Sequence, residues 1–159
     1  MPQRRLDSAA FAELASDILA GDHILRFEAT GGSMRPFIWD GDTLEVRAVN
    51  PDELRRGDIV LCRLASGRLV AHRVTQVSQS ALVTHGDALF APDGGIAPAA
   101  VMGRVCAVTH KAQRYSTNTA LIHTLALLWI ALVPLRQPLL AGILWGLRLR
   151  KWMSTGKTS

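Results

Sequence analysis

Asp58 to Val77 reads DIVLCRLASGRLVAHRVTQV. Short runs rich in Val, Leu and Ile, read with a period of two, lie on both sides of Ala65-Ser66-Gly67-Arg68, a turn-forming tetrapeptide. Alternation with period two is the mark of a β-strand that buries one face. Two such runs joined by a short glycine-containing turn predict an antiparallel hairpin. In the second run Leu69, Ala71, Arg73 and Thr75 share one face, and Val70, His72 and Val74 share the other. The same period continues outward in HILRFEA, TLEVRAV, SALVTHG and MGRVCAVTH, separated by the turn signals WDGD, NPDE, RRGD and APDGG. Six short strands with such turns predict a mainly β fold, an antiparallel sheet coiled into a small barrel. We set this domain at residues 23–112.

The flanks have a different period. Leu6, Phe11, Leu14 and Ile18 recur at helical spacing, so residues 1–22 are expected to hold a short helix started by Asp7 or Ser8 and ended near Gly21. It is too short and too acidic to be a membrane anchor. Residues 113–159 form a basic, apolar tail. LIHTLALLWIALVPL and LLAGILWGLRL, interrupted by PLRQP, predict an apolar helical hairpin. Fifteen helical residues span roughly 22 Å, short of a hydrocarbon core of about 30 Å. A hairpin dipping into one leaflet fits as well as a full crossing. Trp129, Trp145 and Trp152 suit interfacial anchoring or ordinary packing.

Charge divides the chain in the same way. The first 110 residues hold 11 Arg, no Lys and all 13 acids, a net −2; the remainder holds seven Lys or Arg and no acid, a net +7. A basic and apolar tail points to an anionic membrane surface as partner. Basic residues flank the apolar segment on both sides, which favours the cytoplasmic face. Nucleic acid is not an expected partner, because no recognition motif or aromatic stacking ladder is present. Cys62 and Cys106 lie in apolar runs without metal-ligand spacing. They read as reduced core residues, and no metal or other cofactor is expected.

One stretch is not explained by folding alone. In GGSMRPF, Gly31 to Phe37, two glycines free the backbone, a serine follows and a proline locks it again. A serine hydroxyl becomes a nucleophile when a base takes its proton. No lysine precedes Lys111, so the base is a histidine, from His23, His72, His85 and His110. His72 stands among apolar neighbours on a strand, with Asp87 one hairpin on and Asp93 six residues further. Either carboxylate could accept from its Nδ1–H. His85, at a strand end, is expected to face solvent, and Arg73 to pair with an acid.

In this order the segments Ser33-Met34-Arg35-Pro36, Gly57-Asp58-Ile59-Val60, His72-Arg73-Val74, Gly86-Asp87 and Gly103-Arg104-Val105 resemble the boxes of the signal peptidase and LexA-like serine peptidases. The resemblance covers about residues 24 to 109. Bacterial-type members carry Lys in the third box; archaeal and endoplasmic-reticulum-type members carry His, as here. Asp93 matches the further Asp of the Gly-Asp box, whereas Ala88 and Leu89 stand where the family pattern has asparagines. The resemblance implies a coiled β-barrel, Ser33 as nucleophile and His72 as base. It also implies a substrate peptide bound as an extended strand.

The residues themselves suit those roles. Gly31 and Gly32 admit a substrate backbone, with Gly32 and the Ser33 N–H near the oxyanion and Met34 at the pocket floor. We take Asp87 as the residue that orients His72, with Asp93 as a second candidate. The expected function is a serine endopeptidase that cleaves a precursor or leader peptide. Family signal peptidases carry an N-terminal membrane anchor, and no apolar span precedes Ser33 here. The catalytic domain is therefore expected on the cytoplasmic face, tethered by its tail. The alternatives are a self-cleaving LexA-like regulator and a catalytically inactive peptide-binding module.

Overall fold

The computed structural model describes residues 8–132. A helix, α1 (Ser8–Ala20), precedes strands β1 (Leu25–Glu28), β2 (Thr43–Arg47), β3 (Ile59–Arg63), β4 (Leu69–Val77), β5 (Leu82–His85), β6 (Gly95–Ile96), β7 (Val101–His110) and β8 (Gln113–Ser116). Residues 120–132 are helical up to the end of the described region. The second half of the predicted tail hairpin, with PLRQP, Trp145 and Trp152, lies outside the described residues, as do Leu6 and Asp7.

All strand pairs are antiparallel, in the order β1-β2-β7-β3-β4-β5-β6. The β3–β4 hairpin forms around Ala65–Arg68, with Arg63 opposite Leu69. The long strand β7 organises the sheet. One edge takes β2, and the other takes β3 along its first half and β8 along its second. Register shifts in β2, β3 and β4 mark bulges, which bend and twist a sheet. The end strands β1 and β6 do not pair with each other. The fold is therefore mainly antiparallel β with a short N-terminal helix, and the expected barrel closure is not made. Each end strand is only four or two residues long, which leaves few backbone groups to close a ring.

The sheet is buried on both faces at its centre. In β3, Ile59 and Leu61 join a core with Leu44, Val46, Val105, Leu25 and helix residues Ala15 and Leu19. Val60 and Cys62, alternating with them, join a second core with Leu54, Val74, Leu82 and Ile96. That is why IVLC is a continuous apolar run rather than an alternating one. Cys62 is buried, and burial pushes its thiol up to about 12, so it packs as an inert apolar residue. Cys106 is half-buried and donates to the Glu45 carbonyl at 3.3 Å.

Three features of the flanks add to the sequence reading. Helix α1 buries Ala12, Ala15 and Leu19, with Phe11 edge-on to Phe27 at 5.2 Å, whereas Leu14 is exposed. Strand β8 extends the sheet beyond residue 112. It follows a tight turn in which Lys111 and Ala112 both take positive φ, a conformation usually signalled by Asn-Gly. Arg114 on β8 then grips buried Glu45 through both carboxylate oxygens, at 3.1 and 2.7 Å. Finally, no helix among the described residues is long and apolar enough to cross a membrane.

Candidate active site

The loop from Ala29 to Asp42 is held shut at its neck. Ala29 N–H donates to the Asp42 carbonyl, Gly41 N–H to the Ala29 carbonyl, and Gly31 N–H to Asp40 Oδ1 at 2.7 Å. Gly31 takes φ +88°, a region that disfavours side chains. Beyond it, Phe37 and Ile38 N–H both reach the Met34 carbonyl, and Trp39 Nε1–H donates to the Pro36 carbonyl. Tyr115 on β8 donates its hydroxyl to the Phe37 carbonyl. The Arg35–Pro36 peptide bond is cis. Met34 is buried in the main core and also lines the cleft. Gly32 accepts from the Arg35 N–H. A Cβ on Gly32 would come within 3.3 Å of the Arg35 side chain.

Ser33 is half-buried at one side of a cleft of about 530 Å³. Its Oγ lies 3.0 Å from His72 Nε2, and His72 Nδ1 lies 2.6 Å from Asp93 Oδ2. Thr84 donates its hydroxyl to the same Asp93 oxygen at 2.8 Å, and Asp93 N–H donates to the Thr84 carbonyl. Burial by itself pushes the Asp93 carboxyl up. The hydrogen bonds from His72 and Thr84, with the charges of His72 and His85, outweigh burial and hold it below its usual value. An ionised Asp93 only accepts, so the proton between them belongs to His72 Nδ1. The Nε2 lone pair then faces the serine hydroxyl, the arrangement a general base needs. Among the described residues nothing accepts from the Ser33 N–H, which leaves it available to an oxyanion.

Asp87 is not the orienting carboxylate. Arg73 Nε and Nη2 donate to its two oxygens at 2.8 and 2.7 Å, both residues being fully buried. The reason is register. Arg73 is opposite His85 in the β4–β5 pair, so the chain leaving β5 carries Asp87 past Arg73. Asp93 returns seven residues beyond Gly86 to lie beside Thr84 and reaches His72. Arg73 also donates to the Gly57 carbonyl and stacks over Phe37 with 4.8 Å to the ring centre. The residues on either side of Asp87 contact the Ser33 backbone. Ala88 N–H donates to the Ser33 carbonyl at 2.8 Å, and a Cβ on Gly86 would come within 2.8 Å of that oxygen. Glycine in the Gly-Asp box is therefore required by close backbone approach.

Arg73 thus pairs with an acid, as expected. His85 does not face solvent: it is buried, and among the described residues its Nε2 has no hydrogen-bond partner. Thr84 was not singled out by the sequence reading, although as a fully buried hydroxyl between β5 neighbours it needed an acceptor. His23 is exposed, and His110 is engaged with Asp42 at 2.6 Å. Among the described residues no cluster of three His, Cys, Asp or Glu could hold a metal ion. Compared with family models, curated proteins and solved structures, the chain matches none of them.

Proposed function

We propose that the protein is a serine endopeptidase acting on a precursor or leader peptide, akin to the Ser-His signal peptidases. The observation that carries this reading is the relay Ser33 Oγ–His72 Nε2–Asp93 Oδ2, at 3.0 and 2.6 Å, on one wall of an open cleft. The finer features of that family's coiled β fold belong to this proposal. The bulged antiparallel sheet that carries the relay is its support.

The chemistry follows from the geometry. Ser33 Oγ attacks the scissile carbonyl carbon while its proton passes to His72 Nε2. The new imidazolium is steadied by Asp93, and the tetrahedral oxyanion by the Ser33 N–H. Collapse breaks the C–N bond, and the departing amine takes the proton from Nε2. Water then gives a proton to His72, attacks the acyl carbon and releases the acid, restoring the serine hydroxyl. Phe27, Met34, Ile38, Leu61 and Leu69 line part of the cleft, which suits an extended peptide with some apolar side chains.

The test is to incubate wild type, Ser33→Ala and His72→Ala with precursor peptides and a fluorophosphonate probe. Mass spectrometry then reads cleavage and Ser33 modification. Wild type should cleave and be labelled, and neither variant should. Equal cleavage by all three would make the dyad untenable. Retained peptide binding without labelling of wild type would favour the inactive binding module, and cleavage of the chain itself would favour the LexA-like regulator.

A second reading concerns location. The helix at 120–132 buries Ala126 and Ile130 and sets Trp129 edge-on against Phe37 at 5.4 Å. Its other side exposes Leu121, Leu125, Leu128 and Leu132, an i, i+4, i+7, i+11 stripe. With seven basic residues and no acid after residue 110, the stripe fits an anionic bilayer surface on the cytoplasmic side. Co-sedimentation of the full chain with vesicles of mixed anionic lipid, lost on Leu125→Glu/Leu128→Glu, tests it. Equal sedimentation with and without vesicles would overturn it.

A further inference from the structure

The catalytic cleft does not end at the relay. A second cavity of about 550 Å³ meets it at Leu64 and Asp93, which line both. The tip of the β3–β4 hairpin stands between the two. Leu64 N–H donates to the Arg68 carbonyl, and Gly67 N–H to the Leu64 carbonyl at φ +81° for Gly67, so the tip is a closed turn. Arg68 lines the catalytic cleft and Arg63 lines the second cavity. Both are exposed, and among the described residues neither has an acidic partner. Elsewhere on the fold Arg73 and Arg114 are each paired with a carboxylate through two oxygens. The two hairpin arginines are the ones placed over open cavities.

The rest of the second cavity is small and apolar. Ala65, Ala97, Ala99 and Ala100 keep it wide, and the short strand β6 forms one wall. β6 pairs with β5 alone and stands at the end of the sheet. An end strand offers backbone groups to an added peptide strand. Of the acids at these cavities, Asp93 is held by His72 and Thr84, and Glu28 lies in the catalytic cleft.

We infer that the two cavities form one peptide site in two parts, in which Arg63 and Arg68 select precursors carrying acidic residues on one side of the cleavage point. This rests on the peptidase reading for the identity of the ligand as a peptide. Guanidinium groups bind carboxylates with forked hydrogen bonds, so they add charge specificity to a groove lined by both polar and apolar groups.

The experiment uses the full chain with Ser33→Ala, so that no peptide is cut, and fluorescence anisotropy as readout. The probes are peptides of about 12 residues, roughly 40 Å extended. All share a central Ala- and Val-rich segment, and carry Asp/Glu, Asn/Gln or Lys/Arg at one end or the other. At low salt the acidic peptide of one polarity should bind about 5- to 20-fold tighter than its amide counterpart, and the preference should shrink as salt rises. Arg63→Gln/Arg68→Gln should reduce it to below about twofold, and Arg63→Glu/Arg68→Glu should turn it towards the Lys/Arg peptide. Equal binding of acidic and amide peptides overturns the inference. So does a preference that survives the double substitution, or no binding by any peptide. Failure of Ser33 labelling with the acid preference intact would instead overturn the nucleophile and leave the peptide site standing.

Discussion

His72 and Arg73 are neighbours in sequence and face opposite ways on β4, and each is joined to an aspartate. Their fates differ. The His72–Asp93 pair opens on the cleft, and its free nitrogen meets Ser33. The Arg73–Asp87 pair is sealed in the interior with its donors and acceptors consumed by each other, by the Gly57 carbonyl and by the Phe37 ring. One pair keeps a lone pair for chemistry. The other keeps the Ser33 backbone in place through Gly86 and Ala88. A contact between a nitrogen side chain and a carboxylate is therefore not functional by its type. What matters is which atom is left over and what it faces.

The comparison breaks most sharply at the relay itself. His72→Ala should lower cleavage about 10³- to 10⁶-fold and cost about 1–3 kcal/mol of stability, because it leaves Asp93 without its ring partner, read by single-turnover kinetics beside thermal unfolding. Asp93→Asn leaves the imidazole free to take the wrong tautomer. It should lose roughly 10²- to 10⁴-fold in kcat while KM stays within a few-fold. If Asp87→Asn gave the larger kcat loss with stability intact, the assignment of the two aspartates would have to be exchanged.

At the buried pair the expected damage is to stability. Asp87→Ala strands a buried guanidinium and should destabilise by about 3–5 kcal/mol in urea unfolding. The joint replacement Arg73→Met/Asp87→Leu should recover a large part of that loss, because no charge is then left unpaired.

A pH titration sharpens the same contrast. The Asp93 carboxyl is held below its ordinary value near 3.8, so its share of stability is full above that value. That share is lost as pH falls through the lower folded value. Asp93→Asn should therefore flatten the acid side of the stability curve below about pH 4. Glu45, held down first by its hydrogen bonds from Arg114, keeps its own contribution in the same direction. The smallest effect is expected from Thr84→Val, which removes one hydroxyl from Asp93. It should lose about 0.5–1.5 kcal/mol of stability and a few-fold in kcat, measured in the same assays.

Much of this was legible beforehand. The period of two over Asp58 to Val77 located a hairpin that the structure contains within a residue or so at each end. The absence of lysine before Lys111 left histidine as base, and His72 meets Ser33. The choice between Asp87 and Asp93 was not legible. It depends on the Arg73–His85 register and on how residues 86–93 turn back, and neither leaves a local signal. Strand β8 was hidden for a related reason, since its turn uses positive φ at Lys111 and Ala112 rather than at glycine. The buried position of His85 was obscured because a strand end usually meets water, and here it is buried opposite Arg73.

The sequence by itself determined the residue types and the period: short amphipathic strands, a serine between freed and locked backbone, and a histidine on an apolar face. Those properties follow from side-chain chemistry and from the two-residue repeat of extended backbone, which act locally. Only the tertiary structure decided which aspartate meets the histidine, that the sheet stays open, and that Arg68 lines one cavity and Arg63 another on either side of the hairpin tip. Those outcomes depend on register and loop path, through contacts between residues far apart in the chain. For His72 the separation is 39 positions to Ser33 and 21 to Asp93.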